Sequence, residues 1–119
     1  MDWIKYAIFA LVVFFIVRQL LPVRGIKNIS TQTLKGELNK KGIQFVDVRT
    51  PSEYKGRHIK EFRNIPLSSL EGKLSALDKD KEVVVICQSG MRSQKAARLL
   101  KKNGFAQVTN VKGGMSAWN

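Results

Sequence analysis

The chain of 119 residues has one cysteine, Cys87, and one histidine, His58. A lone cysteine excludes an intramolecular disulfide and removes any argument for an oxidising compartment. Acidic side chains are scarce, 9 against 21 lysines and arginines, for a formal net charge of +12. No internal repeat, low-complexity tract or nucleic-acid-binding motif is present, and aromatic residues are not interleaved with the basic ones, so the charge does not read as a nucleic-acid surface. The part from residue 19 onward still carries 19 basic and 8 acidic residues, a net +11. Such a surface seeks anions. Anionic lipid headgroups are the favoured macroscopic partner, at about 1 kcal/mol per nearby lysine or arginine, and the same field draws in small anions. The length leaves room for one compact domain and a tail.

What the chain does offer is centred on Cys87. The run Val83-Val84-Val85-Ile86 is short, β-branched and uncharged, as expected of a strand buried on both faces of a parallel sheet. Cys87 therefore stands at the carboxyl end of a strand, where open α/β sheets bind their ligands. Gln88-Ser89-Gly90-Met91-Arg92-Ser93 follows as a tight turn, and Ser93 is expected to cap a helix carrying Ala96, Ala97, Leu99 and Leu100, with Asn103-Gly104 as its stop. Gly90 lets the loop curl with its amides inward, Ser89 and Ser93 add hydroxyls, and Arg92 adds a fixed positive fork. A helix N-terminus and a neighbouring cation lower a thiol pKa from about 8.5 to roughly 3.5–7.5. The expectation is a thiolate at neutral pH, against the commoner fate of free cysteine as a small buried hydrophobe.

With these residues the chain resembles the rhodanese family of sulfurtransferases, whose active loop has an arginine five positions after its cysteine, as in Cys87-Gln-Ser-Gly-Met-Arg92. Two more stretches agree: Asp47-Val48-Arg49-Thr50-Pro51-Ser52-Glu53-Tyr54 followed by His58-Ile59 and Asn64-Ile65-Pro66-Leu67, and Gly113-Gly114-Met115-Ser116-Ala117-Trp118. Arg57 and Glu61-Phe62 depart from the common pattern. The resemblance implies a three-layer α/β/α sandwich with a five-stranded parallel sheet, spanning 26–119. It implies Cys87 as the nucleophile that carries sulfur as a persulfide, and an anion cradle of Gln88, Ser89, Gly90, Met91, Arg92 and Ser93. The donor is a small anionic sulfur compound such as thiosulfate, the acceptor a thiol or cyanide, and neither metal nor organic cofactor is required. Related cell-cycle phosphatases have one more loop residue, so the loop length here disfavours phosphate.

His58 sits in a basic turn and is read as structural, since a thiolate held by amides needs no base. Asp47 and Arg49 flank the end of a strand over Ile43–Val46 and are read as ion pairing that ties loops near the site; Arg49 and Glu53, four apart, are expected to pair on a short helix. Gly113 and Gly114 supply permissive backbone, with Trp118 behind the loop.

Ahead of the domain, Tyr6 to Val17 is an unbroken apolar run of twelve residues. Extended from Trp3 to Leu21, with Lys5, Arg18 and Gln19 snorkelling, it reaches roughly 28 Å. No small-x-small cleavage site follows it closely. The reading is a single transmembrane anchor helix over 1–21 and a linker over 22–25. Arg18, Arg24, Lys27 and Lys35 on the carboxyl flank place the domain on the cytoplasmic side of the cell membrane. Further elements are a strand Ile26–Ile29, a helix capped by Ser30 or Thr31, a helix over Ser68–Leu77 and a strand near Gln107–Val111. The leading function is sulfur transfer; the rival is a membrane-tethered module that senses persulfide or oxidant through Cys87 without turnover.

Overall fold

A computed structural model describes residues 2–20 and 25–119, with side chains for all of these except 18–20. The domain is built on five strands, β1 (Ile26–Ile29), β2 (Ile43–Asp47), β3 (Arg63–Asn64), β4 (Glu82–Ile86) and β5 (Val108–Val111), ordered β1-β5-β4-β2-β3. Every neighbouring pair is parallel. β4 lies in the middle, and this explains its composition: Val83 and Val85 point into one apolar cluster with Leu70, Ala96, Ala97, Leu100 and Phe105, while Val84 and Ile86 point into the other with Leu34, Phe45, Phe62 and Met115. A strand buried on both faces must be apolar at consecutive positions rather than alternate ones.

Helices cover both faces. After α1 (Asp2–Leu20), α2 (Thr31–Glu37) is capped by Ser30, whose hydroxyl accepts from the Thr33 amide. α3 (Pro51–Gly56) opens with a reciprocal cap: the Thr50 hydroxyl accepts from the Glu53 amide and the Glu53 carboxylate accepts from the Thr50 amide. α4 (Leu67–Leu70) and α5 (Met91–Lys102) complete the set, and α5 stops at Asn103 as its Asn-Gly ending predicts. The helix expected over Ser68–Leu77 is instead α4 followed by a 3₁₀ segment, Glu71–Ala76, that leaves helical backbone at Lys73. Gly72 offers little helix propensity there, and neither Leu74 nor any other residue of the segment is buried to hold a longer helix down. Phe62, one of the departures from the family pattern, fills the core and stacks at a tilt against Phe45.

α1 packs into neither cluster. Its large apolar side chains from Trp3 to Val17 are exposed. The expected membrane span needs a correction at this point, because among the described residues no helix is long and apolar enough to cross a membrane. The unbroken apolar run of twelve residues covers only about 18 Å at 1.5 Å per residue. The residues that lengthen it, from Arg18 onward, and the linker residues 22–24 lie outside the described side chains.

Candidate active site

β4 hands the chain directly to the site. Cys87 continues the alternation of Val83 and Val85, so its side chain turns toward α5 and is fully buried. Gly90 then adopts φ +105°, a left-handed conformation that favours glycine, and the turn aims its amide at the sulfur, 2.9 Å from Sγ. That same glycine, not Ser93, occupies the cap position of α5. Ser93 lies in the first helical turn, buried, with Oγ 3.2 Å from Sγ. The expected cap is thus a hydroxyl packed under the Cys87 sulfur, because the left-handed residue ends the loop three positions earlier.

The carboxyl-terminal Gly-Gly segment closes on this loop from behind. Gly114 (φ +53°) leaves no room for a Cβ against the Cys87 carbonyl. The Met115 amide donates to that carbonyl at 2.8 Å and the Ser116 amide donates to the Gln88 carbonyl at 2.9 Å. Gln88 is held by its side chain as well, giving a hydrogen bond to Ser116 Oγ and accepting one from Arg49. Arg49 is buried and fully engaged, with its guanidinium on the Asp47 carboxylate (2.8 Å) and on the carbonyls of Glu53 and Arg57. Asp47 and Arg49 therefore tie β2, α3 and the Cys87 loop together.

Burial raises the cost of a Cys87 thiolate, but the Ser93 hydroxyl and the amides of Ser93, Gly90 and Ser89 outweigh it, and the thiol pKa is lowered. These hydrogen bonds do most to lower it, and Arg92 and the thiolate also attract one another. Arg92 forks onto Glu53 at 2.7 and 2.8 Å. The pair holds the Glu53 carboxyl down to about 2 and raises the Arg92 guanidinium. Through this pair Arg92, the residue expected to present its fork to an anion, straps α5 to α3. The anticipated Arg49–Glu53 pair does not form, because Arg49 precedes the Thr50 cap and turns back onto Asp47. His58 stacks on Tyr54 (centroids 3.9 Å) and its Nδ1 meets the Tyr54 carbonyl. Ser89 and Met91 are exposed, and Met91 is the most exposed large apolar residue of the domain at 80%.

The Rhodanese-like domain family profile matches residues 30–119. The chain belongs to the rhodanese-like family. The putative sulfurtransferase YtwF of Bacillus subtilis is 42% identical over 94 residues, covering 78% of this chain and 90% of that protein. The thiosulfate sulfurtransferase GlpE of Shewanella oneidensis is 33% identical over 93 residues, covering 78% and 92%. Among solved structures, a rhodanese-like domain protein from Staphylococcus aureus superposes with a TM-score of 0.73 at 36% identity, over 78% of this chain and 91% of that one. These rhodanese relatives support a sulfurtransferase role.

Three residues of this rhodanese-like site make contacts that the motifs alone do not show. Glu53 is the partner of Arg92, and its capping box was legible as Thr-x-x-Glu without revealing that second duty. Gly114 combines a left-handed backbone, φ +53°, with close approach to the Cys87 carbonyl. Asn110 lies buried in β5, where its Oδ1 accepts from the Ser93 hydroxyl and its Nδ2 donates to Asn28 Oδ1 at 3.1 Å. A polar residue inside the Val-Thr-Asn-Val strand was the available signal, since buried amides require partners.

Proposed function

We propose that this protein moves sulfane sulfur from a small anionic donor, thiosulfate being the first to test, to a thiol or cyanide through a persulfide on Cys87. The observation that carries the reading is the Cys87 sulfur at the end of β4, receiving the Gly90 amide and lowered in pKa by surrounding donors. The thiolate attacks the outer sulfur of thiosulfate, the donor's S–S bond breaks, and its electron pair leaves on sulfite. An acceptor thiolate then attacks the outer sulfur of the persulfide, and the electron pair of that S–S bond returns to Cys87. Amide donors stabilise thiolate and persulfide alike, so neither half-reaction needs a general base. The GlpE relative supports thiosulfate as donor by its name alone. The test is to incubate the protein with thiosulfate and weigh it. A gain of about 32 Da on Cys87, lost on adding a thiol and absent in Cys87→Ser, is expected of persulfidation; no gain with any sulfane donor refutes the reading.

The complete burial of Cys87 favours a second reading, a sensor that accepts one sulfur and does not turn over. Single-turnover labelling without steady-state transfer to small thiols selects it.

For α1 we propose attachment to the membrane surface through its exposed apolar side chains, holding the domain on the cytoplasmic face. Support comes from apolar residues at every position from Tyr6 to Val17, exposed on all sides of the helix, and from the positive flank after it. The basic domain adds attraction to anionic headgroups. Fractionating cells that express the chain with and without residues 1–21 tests this, and equal recovery in the soluble fraction refutes it.

A further inference from the structure

Beside the reactive loop lies a cleft of about 410 Å³ lined by Ser89, Gly90, Met91, Gln94, Lys95, Arg98, Asn110, Lys112 and Gly113. One wall is α5, on which Met91, Gln94, Lys95 and Arg98 recur at helical spacing along one stripe. The facing wall is the segment after β5, where Lys112 is fixed by its amide donating to the Ile29 carbonyl at 2.8 Å. The end of the cleft is Ser89-Gly90, the segment whose amide holds the Cys87 sulfur.

The charge of this cleft is of one sign. Lys95, Arg98 and Lys112 line it, no aspartate or glutamate does, and among the described residues none of the three has an ion pair. Arg92, the loop's own cation, forks onto Glu53 and does not line the cleft. The cations beside the loop without an ion-pair partner therefore lie in the cleft. The smallest sulfur donors have no body to fill such a volume; a larger thiol bearing anionic groups several bonds from its sulfur does.

We propose that the cleft is the acceptor subsite and that it selects low-molecular-weight thiols carrying carboxylate or phosphate groups, binding those groups on Lys95, Arg98 and Lys112 while the thiol sulfur reaches the persulfide. The inference rests on the sulfur-transfer reading above. In the step it serves, the bound acceptor's thiolate takes the outer sulfur and the electron pair of the broken S–S bond returns to Cys87.

The experiment uses the full chain and first weighs the persulfide formed with thiosulfate. Acceptor kcat/KM is then measured for two matched pairs, 4-mercaptobutyrate against 4-mercapto-1-butanol for carboxylate, and 4′-phosphopantetheine against pantetheine for phosphate. The anionic member of at least one pair is expected to be preferred. In Arg98→Gln and in Lys112→Gln the anionic-to-neutral ratio is expected to fall about tenfold, the scale of a lost charge-assisted contact, while Lys41→Gln, an equal change of net charge away from the cleft, leaves the ratio intact. The pair that responds identifies the anionic group. A wild type without preference, an unchanged ratio in both cleft variants, or the same fall in Lys41→Gln overturns the subsite and leaves sulfur transfer standing. Failure to form any persulfide overturns both.

Discussion

Replacing Ser93 by alanine isolates the donor that does most to lower the Cys87 pKa. The Ser93 hydroxyl sits 3.2 Å from Sγ in a fully buried setting. A hydrogen bond to a charged group contributes about 1.5–3 kcal/mol. The neutral thiol also loses a contact to Ser93, so the difference between the two protonation states lies at the lower end, about 1.5 kcal/mol. Ser93→Ala should therefore raise the apparent pKa of Cys87 back toward the ordinary thiol value. Thiolate absorbance near 240 nm, followed against pH with Cys87→Ser as the blank, reads it. The single Ser93 proton is contested, since the Gly90 carbonyl (3.1 Å) and Asn110 Oδ1 also accept it. Removing one rival in Asn110→Ala should release the proton to the sulfur and shift the pKa the opposite way. Stability carries the same signature. With the folded pKa below the unfolded one, the unfolded chain binds more protons between them, so stability rises with pH across that window and is lost as pH falls through the folded pKa. Ser93→Ala should flatten that rise. An unchanged pKa in Ser93→Ala, or shifts of the same sign in both variants, refutes the assignment.

Three further outcomes follow from the strapping around the loop. Glu53→Gln should cost about 1 kcal/mol in urea unfolding at pH 7, because the pair is partly exposed though bidentate; Glu53 falls to about 2, so this contribution is present above the unfolded pKa near 4.3 and should fade as pH drops toward 2. Gly114→Ala should destabilise by about 2–4 kcal/mol, combining overpacking against the Cys87 carbonyl with a left-handed backbone position, and should abolish persulfide formation in the fraction that folds; full retention of labelling contradicts the clamp. Asp47→Ala leaves the Arg49 guanidinium buried and unpaired, for an expected loss of about 3–5 kcal/mol, measured as a lower denaturation midpoint with unchanged slope.

Much of this architecture was legible because its causes are local. The run from Val83 to Ile86 declares a strand covered on both sides, and the apolar spacing after Arg92 with Asn103-Gly104 declares the helix and its end. Ser30 and Thr50 read as caps for the same reason. What could not be read is pairing across the chain. That Arg92 meets Glu53 depends on how α3 packs beside α5, the two residues lying 39 apart in sequence. The cap of α5 fell to Gly90 because backbone handedness outranked side-chain preference at that turn. Asn110 became part of the site only when β5 was laid next to β4. The segment Ser68–Leu77 failed for the opposite reason, since a plausible local pattern found too little core to hold it as one helix.

The closing segment has a consequence for how the site assembles. Ser116 lies 28 residues beyond Gln88, so the amides that grip the loop's carbonyls come from a distant part of the chain, after β5. The turn around the thiol is therefore fully ordered only once that final 3₁₀ turn has docked.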